Sequence, residues 1–302
     1  MLRRPLALLP LLIAATLVGN STMLLSAEPA TWRPVADFIQ LPSGMTLGAC
    51  SAAAVNSKGE LFVYHRGAQP ILVFAADGKL LRSWGSDLVG SSHGLRLDAK
   101  ENVWVTDIGN HRVYQFDPNG KLLMTLGNGK PGVGPDQFDK PTDVNFGPGG
   151  EIYVTDGYGN SRVQKFSPSG ALLQSWGTKG TKPGEFRTPH VIVIDKQGRL
   201  LIGDRENDRI QIFSSEGKLL DVWNGYAPYG LALDRDGAVF VSDGRANEVL
   251  QLDPQGKIVQ RFGKKGNAAG EFDLPHMLAF DSAGNLFVTE ILGKRVQKFT
   301  RP

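Results

Sequence analysis

Apolar residues in this chain come in short runs that alternate with polar ones or are rich in β-branched side chains, as in VWVTD and IYVTD. Such runs predict strands rather than helices. The runs are separated by polar turns, PNGK, PSGA, SEGK and PQGK among them. Each turn supplies a glycine or asparagine able to take positive φ in a hairpin. Beyond the N-terminal segment no stretch keeps a helical period.

The runs recur in a fixed order: an apolar run, a glycine turn, a second run ending in VTD or similar, a loop, a third run, a tight turn, and a last run closing near Trp-Gly. Copies of this unit extend over Ala52–Gly85, His93–Gly127, Pro141–Gly177, Pro189–Gly225 and Pro228–Gly263, and a sixth begins at Pro275. Four strands in a period of about 40 to 50 residues is the signature of a β-propeller blade. The sequence therefore predicts an all-β, six-bladed propeller. The sixth copy carries only three runs, so TWRPVADFIQLP, Thr31–Pro42, is expected to supply its fourth strand and remove an exposed edge.

Composition fits one repeat array. The chain has 302 residues, and 37 glycines meet the demand for tight turns. With 33 basic and 30 acidic side chains the net charge is only +3, which argues against a nucleic-acid partner. The first residues, MLRRPLALLPLLIAATLVG, place Arg3 and Arg4 before an apolar core of about 14 residues, the pattern of a signal peptide and short for a membrane span. Residues 1–27 are expected to direct export to the periplasm or beyond, with the propeller over 31–302. Leu25 suits cleavage near Ala27 poorly, so retention as a membrane anchor stays open. The single cysteine, Cys50, cannot form an internal disulfide.

Candidate chemistry comes from one repeat offset. Of five histidines, three open the first run of alternate copies: His93 in SSHGL, His190 in TPHVI and His276 in LPHML. Thr142 and Tyr229 take that place in the copies between, in PTDV and PYGL. Alternate blades would thus point three imidazoles at the axis and leave one coordination position open, as a catalytic zinc requires. In a propeller the start of the first strand and the loop after the second lie on one face. Those loops bring Tyr158, Arg66 and Arg205 to the same mouth, the two arginines at matching offsets in the first and fourth copies. Arg112, Arg162, Arg209 and Arg295 recur and read as scaffold. Asp107, Asp156, Asp204 and Asp243 also recur and read as turn caps, while Trp84, Trp176 and Trp223 read as packing. His65 takes the place of the recurring aspartate and is read as orienting its neighbour, and His111 has no partner visible in the sequence.

The repeats resemble NHL repeats. The ordered strings PTDV…VTDGYGNSRVQKFSPSG, PHVI…GDRENDRIQIF and FDLPHM are similar to the lyase domain of the peptide-amidating enzyme, peptidyl-α-hydroxyglycine α-amidating lyase. The similarity covers essentially the whole mature chain. It implies a six-bladed propeller holding zinc through His93, His190 and His276, a catalytic Tyr158, and functional Arg66 and Arg205. It also implies a channel calcium bound by carbonyls that match Ala53 and Leu95 and by an aspartate directly after the third histidine. Met277 stands there, and a thioether is a poor ligand for a hard cation, so calcium is not expected. The monooxygenase activity that makes hydroxyglycine in that family is not expected from this propeller.

The implied reaction cleaves the carbon–nitrogen bond of R-CO-NH-CH(OH)-COO⁻ to a primary amide and glyoxylate. Zinc would lower the hydroxyl pKa, Tyr158 as phenolate would take the proton with help from Arg66, and Arg205 would fix the carboxylate. Another class stays open on the same residues: an exported NHL propeller that binds a protein or polymer without chemistry. A propeller lactonase is a third reading, which the histidine-rich mouth disfavours.

Overall fold

A computed structural model describes residues 31–301, and the expected signal segment lies outside the described residues. Twenty-four strands form six antiparallel four-stranded sheets, each built from strands consecutive in the chain except the last. The first blade comprises Ala49–Val55, Leu61–Arg66, Ile71–Phe74 and Leu80–Trp84. The inner strands of blades two to six are Ser92–Leu97, Asp143–Phe146, Pro189–Ile194, Pro228–Leu233 and Pro275–Phe280. The only helical element among the described residues is one 3₁₀ turn, Arg205–Asn207.

The last blade closes as expected. Arg33–Val35 pairs antiparallel with the C-terminal strand Arg295–Thr300, in register Arg33↔Thr300. The strand is shorter than the segment that predicted it. Pro34 has no N–H to donate, which confines its strand to an edge, and beyond Val35 the chain turns away and Gln40 bridges to Lys79 of the first blade. Trp32 anchors the closure, its ring 5.8 Å from Phe240 and 6.0 Å from Phe262. Phe38 packs on Phe287 on the other side. One short segment thereby ties blades five, six and one.

The core is divided among the interfaces between blades, because each sheet is apolar on both faces. Tyr153 and Val163 of blade three, for example, pack with Ile192, Leu200 and Phe213 of blade four. Phe138, Phe186 and Phe272 enter these interfaces from the loops before blades three, four and six, each at most 1 % exposed. Burying one such ring contributes about 2–3 kcal/mol.

The recurring acids cap the approach to each inner strand. Asp107 accepts from the backbone N–H of Gly90 and Ser91 (2.7 and 2.8 Å), and Asp156 from Asp139 (2.8 Å). Asp204 accepts from Arg187 (2.9 Å) and Asp243 from Ala227 (3.0 Å). Glu290 fills the role in blade six and His65 in blade one, whose Nδ1 accepts from Gly48 N–H at 2.9 Å. Arg162, Arg209 and Arg295 each clamp the acid of their own blade. Arg112 departs from this pattern and donates to the Asn128 carbonyl instead.

A candidate metal centre at the axial mouth

Five of the six inner strands carry a register shift at the histidine offset, between Cys50 and Ala52, Ser92 and Leu95, Pro189 and Val191, Pro228 and Gly230, and Pro275 and Leu278. His93, His190 and His276 are thus residues of β-bulges, left out of the ladder and re-aimed toward the axis. Gly94 and Gly230 follow the offset where neighbouring blades approach closely. A Cβ at Gly230 would lie 2.2 Å from the His276 carbonyl oxygen, and one at Gly94 2.7 Å from that of Thr142.

The three imidazoles converge as predicted. Their ring centroids are 4.6, 4.9 and 5.0 Å apart, and their candidate ligand atoms lie within 4.8 Å of one another. All are buried. Each ring is held by the blade that follows it. His93 Nδ1 donates to the Thr142 carbonyl (2.6 Å), His190 Nδ1 to that of Tyr229 (2.7 Å), and His276 Nδ1 to that of Ser51 (2.5 Å). A carbonyl oxygen can only accept, so Nδ1 carries the proton and each Nε2 keeps a lone pair.

Burial, first of all, holds His93 and His190 well below the ordinary imidazole range and pushes His276 to about 3, with Arg66 and Arg205 adding to the effect on His276. At neutral pH the trio is neutral, the form that accepts a cation without first losing protons. Three converging neutral nitrogens with fixed tautomers suit zinc or another borderline metal.

Tyr158 and Arg205 join this centre. The Tyr158 hydroxyl lies 3.0 Å from His93 Nε2 and 3.1 Å from His190 Nε2, and accepts from Arg205 Nη1 at 3.1 Å. The Arg205 guanidinium stacks over both the Tyr158 and Tyr229 rings, at 5.2 and 4.8 Å. Its Nε is taken by Glu206 at 2.8 Å, and Arg245 grips the other oxygen of that carboxylate. Arg66 closes the opposite side. It donates to the Ser92 carbonyl at 3.3 Å and has no carboxylate partner among the described residues. His111 stays outside the site, accepting from Lys140 N–H at 3.1 Å.

Calcium does not fit the residues further down the axis. Ala53 and Leu95 could offer backbone carbonyls only, and Met277, where a carboxylate would be needed, packs in the same apolar cluster as Leu95. The one aspartate at the Met277 offset, Asp143, is already engaged by Arg96.

Sequence reasoning did not assign roles to the carbonyls of Ser51, Thr142 and Tyr229, nor to Glu206. The signal for the carbonyls was present, since Thr142 and Tyr229 mark the offset in the copies without histidine. A backbone role, however, leaves no trace in side-chain identity.

Comparison with known proteins agrees with this architecture. The family model described as "NHL repeat" matches residues 138–166 and 186–213. NHL repeat-containing protein 3 of Mus musculus is 34 % identical over 280 residues, which cover 83 % of this chain and 79 % of that protein. A probable peptidyl-alpha-hydroxyglycine alpha-amidating lyase of Caenorhabditis elegans is 28 % identical over 289 residues, covering 83 % and 82 %. Among solved structures, a streptogramin B lyase shares the fold with a TM-score of 0.66 at 15 % identity, covering 90 % of this chain and 98 % of that one. A propeller that matches its relatives over most of both lengths and carries the repeat's own signature is a member of the NHL-repeat protein family.

Proposed function

We propose that this propeller is a metal-dependent carbon–nitrogen lyase acting on an N-acyl-α-hydroxyglycine, and that its metal is zinc. One observation carries the reading: the Tyr158 hydroxyl faces the Nε2 atoms of two converging histidines while Arg205 donates to it from behind. A phenol that only packed would need neither contact. The amidating-lyase homologue supports the same class of reaction.

His93, His190 and His276 would hold the zinc, which supplies Lewis acidity toward an oxygen of the substrate. Tyr158 accepts the proton of the substrate hydroxyl. The C–O bond becomes a carbonyl as the C–N bond breaks, and Tyr158 returns the proton to the departing amide nitrogen. The sum is R-CO-NH-CH(OH)-COO⁻ to R-CO-NH₂ and OHC-COO⁻, with no external oxidant. The guanidinium of Arg205, stacked between two tyrosines, favours the phenolate. Arg66, without a carboxylate partner, is the better anchor for the substrate carboxylate. This reverses the division of labour that the sequence suggests. Export by residues 1–27 would set the reaction outside the cytoplasm.

The test is glyoxylate release from an N-acyl-α-hydroxyglycine by the protein over 31–302, with and without a zinc chelator. Release that the chelator stops and zinc restores supports the lyase. No release from protein holding one zinc would mean different chemistry at this site, and neither release nor metal would favour a propeller that binds a partner without catalysis.

A further inference from the structure

Three residues on from His93, the same inner strand sends Arg96 across the axis. Arg96 Nε and Nη2 donate to Asp143 Oδ1 (3.2 Å) and Oδ2 (2.7 Å) in blade three. Its Nη2 also reaches the Leu231 carbonyl (3.5 Å) in blade five, the blade facing blade two across the ring. Asp143 is fully buried, and it accepts backbone N–H groups as well: Val144 on Oδ1 at 2.9 Å and Ile192 of blade four on Oδ2 at 3.1 Å. A single ion pair therefore joins blades two, three, four and five at the centre of the molecule. Asp143 occupies the repeat offset that Met277 occupies in the opposite blade.

We propose that the Arg96 guanidinium is the resident axial cation of this propeller, standing where a hard metal ion would otherwise be needed. Through Asp143 it is also a positioning residue for the histidine centre. The connection is short and covalent at its key step. Asp143 follows Thr142, whose carbonyl accepts His93 Nδ1 at 2.6 Å and Thr106 Oγ1 at 2.9 Å. Fixing the Asp143 carboxylate on four donors fixes the peptide that aims His93. A bidentate, planar guanidinium suits this task because it satisfies both carboxylate oxygens in one plane and reaches a third acceptor with the same nitrogen. A bare aspartate in this position would be a buried, incompletely compensated charge.

The inference concerns the same site as the proposed function, and its test reads binding and stability rather than turnover. Zinc affinity is measured by competition with a chromophoric chelator for the wild type, R96M, D143N and the double variant. The thermal midpoint is measured in calcium and in EGTA. The wild type is expected to melt at the same temperature in both and to hold no calcium. R96M and D143N are each expected to raise the zinc dissociation constant about 10- to 100-fold, and the double variant no further, because both single changes break one link. Wild-type zinc affinity in R96M, or a stoichiometric calcium that raises the wild-type midpoint, would overturn the proposal. Should R96M not fold, R96K takes its place: weakened zinc binding in a folded R96K supports the proposal, and unchanged binding overturns it. If the wild type takes up no zinc, the metal reading fails by itself. The calcium comparison and the coupling of R96M with D143N in thermal stability then decide the proposal alone.

Discussion

His276 and Ser51 are 225 positions apart in the chain, yet the imidazole Nδ1 of one donates to the carbonyl oxygen of the other at 2.5 Å. This is the contact by which the last blade hands its ligand to the first. It makes one third of the candidate metal centre depend on closure of the ring, and closure depends on the segment that carries Trp32. Replacing Trp32 by alanine removes the ring wedged among Phe240, Phe262 and Phe280. The expected cost is about 2–4 kcal/mol, as for other large-to-small changes in apolar contacts, seen as a lowered urea midpoint. Zinc affinity should fall with it. An unchanged midpoint would show that the strand pairing alone closes the propeller.

Tyr158→Phe keeps the ring and removes the hydroxyl. Glyoxylate release should fall about 10²- to 10⁴-fold in kcat, the range for loss of a general acid–base group, while one zinc stays bound. Arg205→Ala should fall by a similar factor, and the double variant little further, since the two act as a unit. Additive losses would separate the guanidinium from the phenol.

Arg66→Ala should act mainly on KM, because its Nε donates only to the Ser92 carbonyl and its guanidinium has no carboxylate partner among the described residues. An N-acyl substrate with a neutral amide in place of the carboxylate should discriminate little between Arg66→Ala and wild type. Equal loss on both substrates would place Arg66 in another role.

His190→Ala should abolish zinc binding, because two nitrogens cannot complete the site and the phenol loses one of its two imidazole contacts. Retained stoichiometric zinc would remove His190 from the ligand set.

The metal-free protein should be sensitive to acid. Burial holds the three imidazoles below their ordinary range, so the unfolded chain binds protons that the folded chain refuses. With folded pKa values depressed, full stability is present above about pH 6.5 and is lost as pH falls toward the folded values. Three such groups give a slope of at most about 4 kcal/mol per pH unit. Urea midpoints of chelator-treated protein at pH 7.5, 6.5 and 5.5 should fall in that order, and less so for H93Q/H190Q/H276Q. A flat profile in the wild type would contradict buried neutral imidazoles.

Much of the molecule is legible in its sequence because a repeat reports each position six times over. Asp107, Asp156, Asp204 and Asp243 announce one capping role by returning at one place, and His93, His190 and His276 stand out against that regularity. The limits of legibility are equally physical. The length of the closing strand was overestimated, since Trp32 and Phe38 are apolar for packing between blades and only Arg33–Val35 pairs. Arg96 gave no signal because a single arginine in an apolar strand does not name the Asp143 it meets in the next blade. Tyr158 and Arg205 were found together because their loops share a face, but the stacking that ties them needs Tyr229, from a third blade.

The alternation of histidine blades with carbonyl blades sets a rule of parity for the ring. Each imidazole leans on the next blade, so the true unit of the site is a pair: two with three, four with five, six with one. Only an even number of blades can tile that way around a closed circle. An odd number of blades would set two like blades side by side and break the alternation that spaces the three imidazoles evenly around the axis. A further pair would bring a fourth imidazole, so a centre of three nitrogens goes with six blades.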